Sequence, residues 1–201
     1  MDRTPNFLND NEIGKIGENI FEKHFYEYIT LNESKGKTLK LVDVRDDKVF
    51  QELDIDYVAL IDNHAIDDLL INIRSGNPKL IDERVNNIGY TFEVKTDTRT
   101  SETGNIVYEI LSHNMPGCLA RCYADFLIYV CLNRYNHNIV DAVYSINVHK
   151  LRNWLTNNNN KKYYKTNAIS KEGILNFLIN IDSLIDCGVA KKIKTAFIIT
   201  D

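Results

Sequence analysis

Four side chains in this sequence have the types and order needed for metal-assisted chemistry on a phosphate. Glu93 and Lys95 lie two residues apart in YTFEVKT, where Tyr90, Phe92, Val94 and Thr96 alternate with Thr91, Glu93 and Lys95. Strand periodicity puts the carboxylate and the ammonium on one face. Asp56 opens the apolar run DYVAL of a second strand, and Glu18 lies in GKIGENIFEKHF, upstream of both. If the two strands are neighbours with Asp56 opposite Glu93, two carboxylates and an ammonium converge. Carboxylates that close repel, and the arrangement persists with a cation between them. Oxygen donors of this kind suit Mg²⁺ or Mn²⁺, which keep several waters and accept phosphate oxygens. A neighbouring lysine then orients or deprotonates water, or offsets charge at the transition state.

The elements that must hold these residues can be read from periodicity. Ile13, Ile16, Ile20, Phe21, His24, Phe25 and Tyr28 recur at helical spacing, which predicts a helix from Asn11 to about Ile29, capped by Asp10 or Asn11. Glu18 falls on the edge of its apolar stripe. Gly14 and Gly17 each cost such a helix about 1 kcal/mol relative to Ala, and imply a close approach to something. Strands follow in KTLKLVDVRDD and ELDIDYVALI. In the latter, Asp54, Asp56, Val58 and Leu60 share a face, so Asp54 rivals Asp56 as the first ligand; Asp56 is preferred because an apolar strand follows it directly. Residues 62–89 read as an insertion, with a short helix at Asp67–Ile73 and a turn at RSGNP.

Beyond the 90–96 strand come a polar loop, a strand in NIVYEIL, a short helix to about Tyr123 and a buried strand, Phe126 to Leu132. Tyr144–Val148 reads as a strand and His149–Leu155 as a helical turn. NNNNKKYYKTN reads as a loop. Ser170 is positioned to cap a helix carrying Ile174, Leu175, Leu178, Ile181 and Ile185 and ending near Gly188, and IKTAFIIT as a last strand. No internal repeat is visible. The order predicts an α/β (α+β) fold in one domain, 1–201, with a C-terminal helix-strand extension at about 149–201.

Composition narrows the partners. With 201 residues, 44% of them hydrophobic and 26% charged, the chain suits one soluble domain. No secretion signal or membrane-spanning run is present, so a cytoplasmic protein without a membrane partner is expected. Cys118, Cys122, Cys131 and Cys187 form no CxxC pair and read as reduced thiols rather than a zinc site. A net charge of −4 argues against coating nucleic acid by bulk electrostatics but leaves room for a local basic groove. The absence of a Gly-rich phosphate loop and of GxSxG leaves an ATPase or serine hydrolase without support.

Asp56 before an apolar run, Glu93-Val94-Lys95 on a later strand and Glu18 on a preceding helix together resemble the PD-(D/E)xK nuclease superfamily, over roughly residues 12–132. The resemblance implies a restriction-endonuclease-like αβββαβ core, with a central mixed sheet flanked by helices. It implies a metal-dependent DNA endonuclease in which Asp56, Glu93 and the Val94 carbonyl bind Mg²⁺ or Mn²⁺. Lys95 would carry the catalytic ammonium, Glu18 would be a supporting carboxylate, and the product would keep a 5′-phosphate. Two features depart from the pattern: Ile55 replaces the proline before Asp56, and the gap from Asp56 to Glu93 is long. Family members that cut duplexes often dimerise, so a homodimer is compatible.

Further candidates surround this set. Glu109 is a candidate metal-adjacent or second-layer carboxylate, and Arg99 and Lys162 are candidate substrate contacts, with Lys15 and Arg121 on a similar phosphate track. Lys161, Lys162, Tyr163, Tyr164 and Lys165 interleave charge with aromatics, a pattern suited to backbone tracking and base stacking. His24 reads as a helix-face residue beside Phe25. Two other functions fit the same residues: a catalytically silent nucleic-acid-binding or assembly module, and a nuclease acting on RNA or branched DNA.

Overall fold

The computed structural model describes residues 10–28, 39–62, 66, 89–167 and 169–199. Its elements are α1 (Asp10–Tyr28), β1 (Leu39–Asp43), α2 (Lys48–Glu52), β2 (Tyr57–Ile61), β3 (Gly89–Asp97), α3 (Thr100–Thr103), β4 (Asn105–Ser112), β5 (Met115–Pro116) and α4 (Cys118–Arg121). After them come β6 (Phe126–Leu132), β7 (Ile139–Asn147), α5 (Val148–Thr156), a 3₁₀ helix (Asn158–Tyr163), β8 (Tyr164–Thr166), β9 (Leu175–Asn180), α6 (Ile181–Asp186) and β10 (Ala190–Ile198). The proposed helix at Asp67–Ile73 and most of the 62–89 insertion lie outside the described residues.

A six-stranded mixed sheet in the order β1-β2-β3-β6-β7-β10 forms the centre. Only β3 and β6 run parallel; every other neighbouring pair is antiparallel. Strand alternation gives this sheet two apolar faces. One takes α1: Ile20, Phe21 and Phe25 pack on Tyr57, Ala59, Phe92, Val94, Ile128 and Val130. Aromatic edges lock that face, with the Phe21 ring 5.0 Å from Tyr57 and 5.3 Å from Phe92. The other face, carrying Val58, Leu60, Leu127, Tyr129 and Ile146, is covered by Phe50 of α2, by α4–α6 and by a second sheet. That second sheet has four strands in the order β5-β4-β9-β8.

Several expectations hold. α1 spans the anticipated segment, and β3, β4, β6, β10 and α5 form where the pattern places them. The helix expected between Ser170 and Gly188 does not form. Leu175–Asn180 is strand β9, paired with β4 and β8, and only Ile181–Asp186 is helical. The open edge of β4 takes the apolar run as a strand, and Asn180 restarts a helix by accepting the Ser183 N–H at 2.9 Å. The loop expected around 157–167 is instead a 3₁₀ helix leading into β8. Among the described residues no helix is long and apolar enough to cross a membrane.

Candidate active site

β2 and β3 bring the opening residues together. Tyr57 pairs with Phe92, which sets Asp56 at the level of Glu93 just before β2 begins. The Asp56 backbone N–H donates to the Phe92 carbonyl at 2.8 Å, while Asp56 Oδ2 accepts the Val94 N–H at 2.8 Å. A residue in an extended strand turns its N–H and carbonyl to the same edge. The Val94 carbonyl therefore faces the side on which the Asp56 carboxylate lies.

Glu93 is buried, and Lys95 Nζ meets its Oε1 at 2.5 Å while the lysine side chain stays half-exposed. Burial pushes the Glu93 carboxyl well above the ordinary carboxylate range; Lys95 opposes that shift and nearby Asp56 adds to it. Asp56 is also raised, chiefly by burial, with the Val94 N–H and Lys95 opposing. Burial disfavours the Lys95 ammonium, but the neighbouring negative groups, Glu93 first and then Cys118 and Asp56, together outweigh it and hold the amine protonated. Buried Cys118 adds to the electrostatic surroundings of Glu93 and Lys95, raising both. Two carboxylates and one ammonium thus share a poorly solvated corner.

Glu18 approaches from α1. A β-carbon on Gly17 would collide with the Thr96 side chain, so this glycine lets the helix press on the end of β3. Gly14 has nothing within 4 Å of that position, so only one of the two glycines marks a close approach. Glu18 is near enough to disfavour the charge on Asp56, but its direct partner is Arg45 Nη1. Arg45 also donates to Glu22 Oε1 at 2.8 Å and to Asp43 at 2.5 and 2.9 Å, and its guanidinium lies 4.9 Å from the Tyr57 ring centre. Sequence reasoning did not single out Arg45, because nothing in the spacing of VDVRDD links it to a carboxylate on the first helix.

The remaining candidates separate. Asp54 does not share a strand face with Asp56: its φ of 48° puts it in a left-handed turn after α2, and Arg121 Nη2 lies 3.5 Å from its Oδ1. Its Oδ2 is buried without a hydrogen-bond partner. Glu109 lies on β4 opposite Asn176, alternating with buried Tyr108, which turns it away from the central sheet and from Glu93. Arg99 is exposed at the start of α3, where Asp97 Oδ1 accepts the backbone N–H groups of Arg99 and Thr100. Lys162 is exposed in the 3₁₀ helix, 4.8 Å from the Tyr163 ring centre. Lys15 is exposed on α1, and His24 stacks edge-on with Phe197 at 5.2 Å.

Among the described residues no group of three or more His, Cys, Asp or Glu side chains is arranged to hold a metal ion. The donor set for a cation is therefore smaller: the Asp56 and Glu93 carboxylates and the Val94 carbonyl. Hard oxygens in that number fit an ion such as Mg²⁺, which binds proteins through one or two carboxylates and retains water. Burial that raises both carboxyls gives the same indication, since a divalent charge would stabilise both in their ionised form. Comparison of the chain with family models, curated proteins and solved structures finds no match.

Proposed function

We propose that this chain is a Mg²⁺- or Mn²⁺-dependent DNA endonuclease of the PD-(D/E)xK kind. The observation that carries the reading is the convergence of Asp56 with the Glu93–Lys95 pair at the junction of β2 and β3, with Asp56 tied to the Val94 N–H. The topology lends support: a helix, three antiparallel strands and a fourth strand parallel to the third follow the order of an αβββαβ core. It departs from that core between β3 and β6, where two four-residue helices and the β4–β5 hairpin replace one long helix.

Asp56 and Glu93, with the Val94 carbonyl, would hold the ion, which supplies Lewis-acid activation of the phosphate and of water. The hydrogen bond from Val94 fixes the Asp56 carboxylate against rotation, so the site is oriented before substrate arrives. Lys95 remains an ammonium at neutral pH, which suits it to donate to a non-bridging phosphate oxygen and offset developing charge. Its exposed side faces incoming substrate, and Glu93 anchors the other. Glu18 acts at one remove, through Arg45 and through its field on Asp56.

Calorimetric titration of Mn²⁺ into the wild type and Glu93→Gln tests the ion-holding role. Heat of binding in the wild type and its loss in the variant are expected. A wild type that takes up no ion would instead favour the catalytically silent module.

A further inference from the structure

We infer that a cavity beside the second sheet binds a nucleotide of single-stranded DNA flanking the cut, so that the substrate carries an unpaired segment. The inference rests on the nuclease reading for its substrate. The cavity measures about 450 Å³ and is lined by Asn105, Lys162, Tyr163, Lys165, Asn180 and Ser183, with Tyr164 and Leu178 completing the wall. The charged side chains lining it are all lysines, in a chain whose net charge is −4.

The local fold explains why these residues meet. Tyr164 pairs with buried Ile179, and its ring packs 4.8 Å from Phe177 and 6.0 Å from Trp154. Strand alternation sends the next residue, Lys165, to the opposite face, level with Leu178. Tyr163, at the end of the 3₁₀ helix, rests 6.2 Å from Trp154 but remains 38% exposed, with Lys162 over its ring. The Tyr163 ring has buried Trp154 beside it and the Lys162 ammonium over it, so a base that stacks there displaces the exposed Lys162 chain. Lysines to either side match the phosphates that flank a stacked base, while Asn105, Asn180 and Ser183 add polar groups.

Hydrogen bonds join the lip of the cavity to the end of β3. Thr100 Oγ1 donates to the Asn105 carbonyl at 2.9 Å, and the Thr100 N–H donates to Asp97 Oδ1 at 3.1 Å, two residues beyond Lys95. The Ile181 N–H donates to the Gly104 carbonyl at 3.0 Å. The cavity lip and the end of β3 are therefore one framework. Bases within a duplex are already stacked on their neighbours and offer a side chain only their edges, so an unpaired nucleotide fits this platform better than duplex.

Fluorescence anisotropy of labelled single-stranded, blunt duplex and RNA oligonucleotides, in chelator so that none is cut, tests this directly. Single-stranded DNA should bind most tightly. Tyr163→Ala should weaken it about tenfold, and Tyr163→Phe, which keeps the ring, should restore it. Lys162→Gln and Lys165→Gln should each reduce the slope of log affinity against log salt by about 0.7. Wild-type binding by Tyr163→Ala and both lysine variants would overturn the inference, as would duplex or RNA binding that is tighter than single-stranded DNA. The same proteins, assayed with Mg²⁺, separate the two proposals. Tyr163-dependent binding without Lys95-dependent cleavage removes the nuclease reading alone, and the converse removes this cavity's role alone.

Discussion

Asp56 Oδ2 accepts the backbone N–H of Val94 at 2.8 Å, so the aspartate at the mouth of β2 is fixed by the residue between Glu93 and Lys95. The bond links the carboxylate to the strand carrying Glu93 and Lys95. The buried position still costs ionisation energy, which the Val94 N–H only partly offsets.

That cost predicts a pH-dependent gain for Asp56→Asn, which keeps an acceptor for the Val94 N–H. A carboxyl raised in the folded state contributes stability at low pH that is lost as pH climbs from the unfolded value, 3.8, through the folded one. In chelator the variant should therefore melt above the wild type at pH 8, and the gap should close near pH 3.5. Parallel melting at both pH values would contradict the assigned electrostatics.

Asp54 and Asp56 should separate in activity. Asp54→Asn loosens the contact with Arg121 and leaves the Glu93 corner intact, so cleavage should stay within a few-fold of wild type. Asp56→Ala should abolish it. The reverse ranking in a cleavage assay would transfer the ligand role to Asp54.

The two glycines of α1 form a matched pair. Gly17→Ala forces the helix off Thr96 and should destabilise by about 1–3 kcal/mol, as overpacking does. Gly14→Ala meets nothing and should stabilise by up to about 1 kcal/mol through helix propensity. Urea unfolding of both variants reads the contrast directly.

Removing Arg45 leaves Asp43, Glu18 and Glu22 close together without their common cation. Its side chain is 28% exposed, so water screens part of the loss, and Arg45→Ala should cost about 1–2 kcal/mol. Added salt should shrink that difference; a salt-independent loss would assign the effect to packing on Tyr57.

Much of the candidate site was legible because it depends on local periodicity. The alternation around Glu93 and Lys95 and the apolar run after Asp56 each fix a face without help from distant residues. The relation of Asp54 to Asp56 was not legible, because a positive φ at Asp54 breaks the alternation that put them on one face. Arg45 was invisible for a different reason: it meets Glu18 and Glu22 only once β1 docks beside α1. In the C-terminal region, Ile174, Leu175, Leu178, Ile181 and Ile185 have helical spacing, yet β4 supplies a partner edge and pairing overrides propensity up to Asn180. Asn180 followed by Ser183 was the available signal for a later helix start.

The joint action proposed for Glu93 and Lys95 is tested most directly by Mg²⁺-dependent cleavage by Lys95→Ala and Glu93→Ala. Linear, branched and single-stranded DNA and RNA would be the substrates, with circular dichroism confirming the fold. Lys95→Ala should lose about 100- to 1,000-fold in rate, as when a transition-state donor is removed, and Glu93→Ala should show no metal-dependent activity. Full cleavage by either variant would contradict the assignment.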